Sequence, residues 1–176
     1  MRSLRLIRYQ SEYQEQILEL HRSAMDGFLT GISQHDEEAD LMAVEQVYIG
    51  GGGEFLVGIL DDRVVAMGGF QRLADTTAEL RRMRVHRELQ GQGYGTQLLQ
   101  ELERLAFQRG IRTLCLKTAI ARPLTLAFYR KHGYLEIDRG FYGQVEILQF
   151  TKQITETACK NVLISDSQFP NPVPDN

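Results

Sequence analysis

The sequence is short of the residues that staple small secreted proteins together. Its 176 residues include two cysteines, four prolines and no tryptophan. Cys115 lies in the apolar run 114–116 and Cys159 lies near the end of the chain, so the pattern favours buried or reduced thiols over a disulfide framework. A chain of this length can bury a sufficient core without bridges. The composition therefore indicates one ordinary globular domain.

Long hydrophobic runs and an excess of one charge are also missing. No apolar stretch approaches the roughly 18 residues of a membrane helix, and the N-terminus does not lead into an apolar signal core. The net charge of -3 argues against nucleic-acid binding through bulk positive charge. The four histidines have no metal-ligand spacing. We therefore expect a cytoplasmic protein with no metal, membrane or nucleic acid among its partners.

Hydrophobic periodicity divides residues 1–153 into strands and helices, followed by a polar tail over 154–176. The predicted strands cover 4–9, 55–60, 64–70, 78–86, 113–117, 134–137 and 145–153. One predicted helix begins near residue 11, and three others cover 36–49, 96–109 and 123–132. This order predicts an α/β chain with a mixed sheet and helices on both of its faces.

The sharpest motif is the glycine-rich segment 90–95, QGQGYG, between a predicted strand and an amphipathic helix. Glycines allow a tight turn and a close approach of backbone to a ligand. The helix N-terminus adds amide N–H groups and partial positive charge, so a phosphate or pyrophosphate fits there. The alternative is a simple turn. A dinucleotide fingerprint would need glycine at Thr96, and a P-loop would need lysine after Gly95.

Two segments resemble the GCN5-related N-acetyltransferases. The segment 83–99 is similar to the coenzyme A-binding segment of that family, whose core pattern is met by Gln90, Gly93 and Gly95. The segment 127–134, AFYRKHGY, is similar to a second family element, with Tyr134 in place of the usual phenylalanine. The resemblance covers residues 1–153. It implies a mostly antiparallel mixed sheet of about seven strands, splayed in the middle, with helices on both faces.

The resemblance implies an acetyl-coenzyme A-dependent N-acetyltransferase that acts on a primary amine by direct attack in a ternary complex. Neither cysteine is placed to form a covalent acetyl-enzyme. Two alternatives stay open, a non-catalytic coenzyme A-binding sensor and a protein lysine or N-terminal acetyltransferase. The acceptor is a small-molecule or peptide amine, and family habit suggests a homodimer.

The resemblance also assigns the donor site. The residues expected to bind coenzyme A are Met83, Arg84, Val85, Gln90, Gly91, Gln92, Gly93, Tyr94, Gly95, Thr96 and Arg122. The first three are expected to hold the pantetheine arm through their backbone. Arg122 stands where many members carry asparagine, and we expect it to meet a phosphate of coenzyme A.

Two residues are candidates for the chemistry. Tyr129 is the expected general acid, because a phenol is protonated at pH 7 and can supply a proton to a thiolate. The alternative is a core tyrosine, although helical phase places Leu124, Ala127 and Phe128 on the buried stripe and Tyr129 beside it.

Glu79 is the expected general base, with His86 as a weaker candidate. The alternative for Glu79 is a strand carboxylate paired with Arg81 two residues on, on the same face. The acidic run 36–38 favours a solvated helix start, and it is also suited to attract a cationic acceptor.

Overall fold

The computed structural model describes residues 4–25 and 38–156. Within these residues seven strands form one sheet, and three α-helices cover it. The strands are β1 (Arg5–Arg8), β2 (Glu54–Leu60), β3 (Arg63–Ala74), β4 (Thr77–Val85), β5 (Thr113–Ala119), β6 (Leu135–Tyr142) and β7 (Val145–Gln153). The helices are α1 (Gln14–Met25), α2 (Tyr94–Gln108) and α3 (Pro123–Lys131), with 3-10 turns at Ser11–Tyr13 and Arg87–Leu89. The predicted tail lies almost wholly outside the described residues.

The strand order is β1-β2-β3-β4-β5-β7-β6. Only the β4–β5 pair is parallel, and every other neighbouring pair is antiparallel. The predicted mixed, mostly antiparallel sheet of seven strands is confirmed. β3 and β6 extend beyond their predicted apolar runs, because ladder pairing continues into polar residues that carry no hydrophobic period.

The sheet splays between β4 and β5. Their pairing ends at Glu79 opposite Cys115, although β4 continues to Val85. Within β4 a bulge places two residues, Arg82 and Met83, opposite the single residue Gly68 of β3. Arg82 is the extra residue of the bulge, and its backbone lies in the left-handed region, at φ 58°. A bulge bends a strand and increases its twist, so β4 turns away from β5 beyond this point.

Both faces of the sheet are covered, as predicted. The face under α2 packs a large core, with Leu98, Leu99 and Leu102 fully buried. The opposite face packs against α1 and the segment 41–48, where Ile17 and Leu41 are fully buried. At about 25 cal/mol per Å² of buried apolar surface, these two layers supply most of the favourable free energy of folding.

The predicted helix over 36–49 is only partly right, and residues 36–37 lie outside the described residues. The described part forms turns and then a π-helical segment, Glu45–Ile49. There the N–H of Gly50 donates to the carbonyl of Glu45 at 2.7 Å, an i to i+5 bond. The glycine run 50–53 ends the segment as predicted. A Cβ at Gly53 would lie 2.1 Å from the carbonyl oxygen of Phe70, so only glycine fits there.

Candidate active site

The splay leaves one edge of β4 open along residues 80–85. Within the described chain, no residue of β5 pairs with β4 beyond Glu79. Unpaired strand N–H and C=O groups seek partners, and an extended ligand arm can supply them. One carbonyl is already engaged, because Arg84 Nη1 donates to the carbonyl of Met83 at 2.9 Å. The structure thus places Met83, Arg84 and Val85 together on the open edge.

The β4 side chains divide between the two faces. Met83 packs into the core under α2, where the missing side chain of Gly68 leaves room for it. A Cβ at Gly68 would lie 2.6 Å from Met83 Sδ. Arg82 turns the other way and forms an ion pair with Asp40, in the segment beside α1. The bulge therefore presents arginines on the α1 side and apolar side chains on the α2 side.

The glycine loop follows directly at the N-terminus of α2. Gly91 and Gly93 have φ values of 76° and 88°, and a Cβ at either position would meet nothing within 4 Å. Gly93 is the N-cap of α2, with no side-chain cap and no acidic residue in the first turn. The helix dipole and its first amide groups thus face open space, the arrangement that a phosphate group needs.

Two glutamine side chains hold the loop in shape rather than reaching outward. Gln90 Nε2 donates to the carbonyl of Val85 at 3.1 Å, and Gln92 Nε2 donates to the carbonyl of Glu88 at 3.2 Å. Any ligand contact from these residues would therefore come from their backbone. His86 precedes them, and its N–H donates to the carbonyl of Val65 at 2.8 Å.

The first turn of α2 is anchored to α3. Thr96 Oγ1 lies 3.1 Å from His132 Nε2, and His132 Nδ1 lies 2.7 Å from the carbonyl of Phe128. Nδ1 therefore donates to Phe128, and in the neutral ring Nε2 accepts from Thr96. Tyr94 is buried in the core, and a Cβ at Gly95 would lie 3.5 Å from the ring of Phe128, at ordinary contact distance. The helix that carries Tyr129 is thus fixed to the loop.

The predicted apolar stripe of α3 is wrong. Leu126 and Tyr129 are the buried residues of this helix, whereas Leu124 is 82% exposed and Ala127 is exposed. Phe128 is half-buried. A nine-residue helix allows several phases, and packing against the sheet selected the one that includes Tyr129. The core interpretation of its ring is therefore right.

The hydroxyl of Tyr129 is a separate matter. Among the described residues none forms a hydrogen bond with it, whereas the neighbouring Tyr134 donates to Glu103 at 2.9 Å. Burial raises the pKa of Tyr129 to about 12, and the positive charge of Arg84 opposes the shift. The group is a neutral phenol at pH 7 with a proton to give, close to a cation that would stabilise its anion.

Glu79 occupies the last paired position before the splay. Its carboxylate lies 3.7 Å from Arg81 Nε and 3.7 Å from Lys117 Nζ, and its side chain is 17% exposed. The predicted pairing with Arg81 is present, so the structural alternative for this residue has support. Its role as general base stays a prediction.

Cys115 lies opposite Glu79 and is half-buried rather than fully buried as expected. Its thiol donates to the carbonyl of Ala78 at 3.5 Å. Burial raises the pKa of the thiol, and the charge of Glu79 raises it further. A raised pKa keeps the sulfur protonated, so the group is a poor nucleophile. Cys159 lies outside the described residues.

Sequence patterns did not identify Asp40, Tyr48 or His21, which line the α1 side of the site. Asp40 accepts hydrogen bonds from Arg82 at 2.6 and 3.0 Å, and Tyr48 donates to the same carboxylate. Burial raises the pKa of Asp40, but these contacts outweigh it and hold the pKa below its usual range. The ion pair secures the bulge in β4. No motif signals it, because its partners meet only through packing.

His21 of α1 is buried against β4, with 1% of its surface exposed. Burial, together with the charges of Arg84 and Arg82, lowers its pKa to about 4, although Glu38 and Asp40 oppose the shift. The imidazole is therefore neutral at pH 7. Its Nδ1 has no hydrogen-bond partner among residues 4–25 and 38–156.

Arg84 and Arg122 border the same space. Arg84 Nε is buried, and burial lowers the pKa of the guanidinium to about 10, with Arg122 and Arg82 as further causes. Arg122 Nη2 donates to the carbonyl of Ala24 in α1 at 3.2 Å. The predicted contact of Arg122 with a coenzyme A phosphate stays a prediction.

The interpretation of the acidic run 36–38 as a solvated helix start is wrong for its one described member. Glu38 is buried and accepts two hydrogen bonds from Arg22, at 2.7 and 2.8 Å. No group of three or more metal-ligating side chains occurs in the described residues. Likewise, no helix in this part of the chain is both long and apolar enough to cross a membrane.

Comparison with known proteins agrees with the geometry. A model of the family described as "Acetyltransferase (GNAT) family" matches residues 15–134. No curated protein sequence matches the chain.

Several solved structures share the fold. An acetyltransferase of the GNAT family from Staphylococcus aureus Mu50 has a TM-score of 0.79 at 24% identity, over 87% of this chain and 100% of that one. PaiA N-acetyltransferase from Thermoplasma acidophilum, in complex with coenzyme A, has a TM-score of 0.66 at 20% identity, over 84% and 98%. The putative acetyltransferase yncA from Salmonella typhimurium, with acetyl-CoA, has a TM-score of 0.68 at 17% identity, over 88% and 95%. At these identities the likeness concerns the fold.

Proposed function

Because the chain belongs to the acetyltransferase (GNAT) family, we propose that it transfers the acetyl group of acetyl-coenzyme A to a primary amine by direct attack in a ternary complex. One observation carries the proposal. The pairing of β4 with β5 ends at Glu79, and the open edge leads straight to an uncapped helix N-terminus. An open strand edge beside a phosphate cradle suits a ligand with an amide-rich arm and a pyrophosphate.

The residues present fit coenzyme A. The open space at Gly91 and Gly93 admits a pyrophosphate against the first amides of α2. The backbone of 83–85 would hold the pantetheine arm, as a further strand would be held. Two similar structures were solved with coenzyme A or acetyl-CoA, which supports this assignment. When bound, the thioester supplies an activated acetyl carbon.

The chain's own residues would then manage protons. The amine must lose a proton before it attacks, and the departing thiolate gains one. Tyr129 has the chemistry for the second task, since its neutral hydroxyl has no hydrogen-bond partner among residues 4–25 and 38–156. Glu79 is the candidate for the first, at the point where the two strands part. In total, one N–C bond forms and one C–S bond breaks. The ammonium form of the amine gives up two protons, of which one ends on sulfur and the other leaves to water.

The direct test is donor binding followed by transfer. Acetyl-coenzyme A at a hundredfold excess over its dissociation constant should stabilise the fold by about 2.7 kcal/mol, which a thermal shift measures. NAD and ATP at equal concentration are the matched controls. Stabilisation by either control but not by acetyl-coenzyme A would refute the proposal. Release of free thiol in an amine screen then separates an enzyme from a coenzyme A-binding sensor.

A further inference from the structure

The wall of the opening that faces α1 is rich in guanidinium groups from separate parts of the chain. Arg82 and Arg84 come from β4, on either side of Met83. Arg122 comes from the residue before α3, and its hydrogen bond to the carbonyl of Ala24 brings it to α1. Arg82 fastens the bulge, and the charge of Arg84 opposes the rise that burial causes in the pKa of Tyr129, but neither contact holds the acceptor. The convergence of the three guanidinium groups beside the open edge bears on the molecule that enters from this side.

The three arginines have different surroundings. Arg82 forms a two-bond ion pair with Asp40, which fastens the bulge. Arg84 and Arg122 are close enough for the charge of Arg122 to lower the pKa of Arg84. Like charges repel, and this repulsion costs more where burial reduces screening by solvent. A bound anion relieves that repulsion, and the planar fork of each group matches a carboxylate or a phosphate.

His21 supplies an independent sign of a ligand at this place. It precedes Ala24 by three residues, about 4.5 Å along the helix axis, so it borders the same end of α1 as Arg122. Its imidazole is 1% exposed, and Nδ1 has no hydrogen-bond partner among the described residues. Buried polar atoms in proteins are nearly always hydrogen-bonded, so this atom, close to the charges of Arg84 and Arg82, marks a place that a bound polar group completes.

We infer that the acceptor amine also carries an anionic oxygen group, a carboxylate or a phosphate, which Arg84 and Arg122 hold while the amine faces the open edge of β4. This inference rests on the proposed function, because it names the substrate class of the same site. The anionic group takes no part in the exchange of bonds and protons. It orients the amine and contributes to binding, so its effect belongs in kcat/KM.

The test uses pairs of amines that differ only in the anionic group. 2-Aminoethyl phosphate is compared with ethanolamine, and phenylalanine with phenethylamine, at saturating acetyl-coenzyme A with thiol release as the readout. The anionic member of at least one pair should have a kcat/KM about 10- to 100-fold higher, the effect of charge-assisted hydrogen bonds. The two pairs distinguish a phosphate from a carboxylate.

Variants then assign the preference to residues. Arg84→Gln and Arg122→Gln should each bring the ratio within a pair toward one. Arg130→Gln is the control, since Arg130 lies on the surface of α3, paired with Glu136 at 3.1 Å, and it should leave the ratio unchanged. A carboxylate also alters the basicity of the neighbouring amine, so a preference in the wild type alone does not identify the arginines. The loss of the kcat/KM ratio in the variants does.

The outcomes separate this inference from the proposed function. Equal kcat/KM within both pairs, or a ratio that survives both arginine variants, overturns the inference. If no amine of the panel is acetylated, calorimetric titration of each pair into the coenzyme A-saturated protein makes the same comparison, and equal affinity overturns it. If Arg122→Gln weakens coenzyme A binding but keeps the ratio, Arg122 binds the donor and not the anionic group of the acceptor. Failure of the proposed function would appear earlier, as a missing thermal shift with acetyl-coenzyme A.

Discussion

The sheet has a closed end, where β4 and β5 are paired over residues 77–79, and an open end, where they part beyond Glu79. Arginine side chains have different roles at the two ends. At the closed end the fully buried carboxylate of Glu54 is held by Arg8 at 2.7 Å and by Arg109 at 2.5 Å. At the open end, beyond Glu79, Arg82 fastens a bulge and Arg84 borders the space that the strands leave. Arginine thus stabilises the fold through a buried ion pair at the closed end and borders the proposed binding space at the open end. Changes at the closed end should therefore alter stability, and changes at the open end should alter transfer.

The largest effect is expected at the open end, from Tyr129→Phe. Loss of a general acid costs about 10²–10⁴-fold in turnover when chemistry limits the rate, whereas the KM for acetyl-coenzyme A should change little. Tyr134→Phe is the matched control, because its hydroxyl is bound to Glu103, and it should cost about 1 kcal/mol of stability instead. Turnover of Tyr129→Phe within about twofold of wild type, with circular dichroism unchanged, would reduce Tyr129 to a core residue.

The next effect is expected at the closed end, from Glu54→Gln. Removal of one partner from a buried ion pair costs about 3–5 kcal/mol, because the remaining charges lose their compensation. Urea denaturation should show this loss, with coenzyme A affinity unchanged. Glu136→Gln gives the comparison, since its pairs with Arg130 and Arg139 are exposed to solvent and should contribute far less to stability. Equal losses in the two variants would contradict the distinction.

Glu79 tests the boundary between the two ends. If it removes the proton of the amine, Glu79→Gln should lower turnover by about 10²-fold and shift the acidic limb of the pH–rate profile, with donor affinity kept. Lys117→Met removes one of its ion-pair partners and leaves the carboxylate, so it controls for the pairing alone. A pH–rate profile identical to that of wild type would show that Glu79 is not the base and that its carboxylate serves only in ion pairs.

The smallest of these effects compares the two ends of α2. Gly93 and Gly110 have φ values of 88° and 82°, and a Cβ at either meets nothing within 4 Å. Alanine at each position should therefore cost a similar amount of stability, about 1–2 kcal/mol. Only Gly93→Ala puts a methyl group in the proposed phosphate cradle, so it alone should weaken coenzyme A binding, by about 10- to 100-fold. Equal affinities by calorimetry would reduce the loop to a turn.

Local signals predicted much of this molecule. Alternation and helical period located every strand of the sheet, and the glycine loop was predicted between a strand and a helix because glycine and helix caps act over a few residues. The bulge at Arg82 was not predictable in this way. One extra residue in a strand becomes visible only when the partner strand and Asp40 are in place.

The candidate site shows the same limit. The motif residues of 83–95 were found from sequence, whereas His21 and Asp40 belong to segments without a motif and reach β4 only through packing. The phase of α3 was mistaken because Leu126 and Tyr129, three residues apart, satisfy helical period as well as the stripe that was predicted. The sheet decided between them, and no count of apolar residues in so short a helix could do so.

The left-handed conformation of Arg82 also bears on how natural variation in this chain should be interpreted. By its surroundings the position looks like an ordinary strand residue, where valine or isoleucine would be judged harmless. At φ 58° those β-branched residues are strained, whereas glycine and asparagine are tolerated. Glycine would keep the bend and lose the link to Asp40. A variant at this codon is thus judged by the backbone it must adopt, and similarity of side chains is a poor guide to its effect.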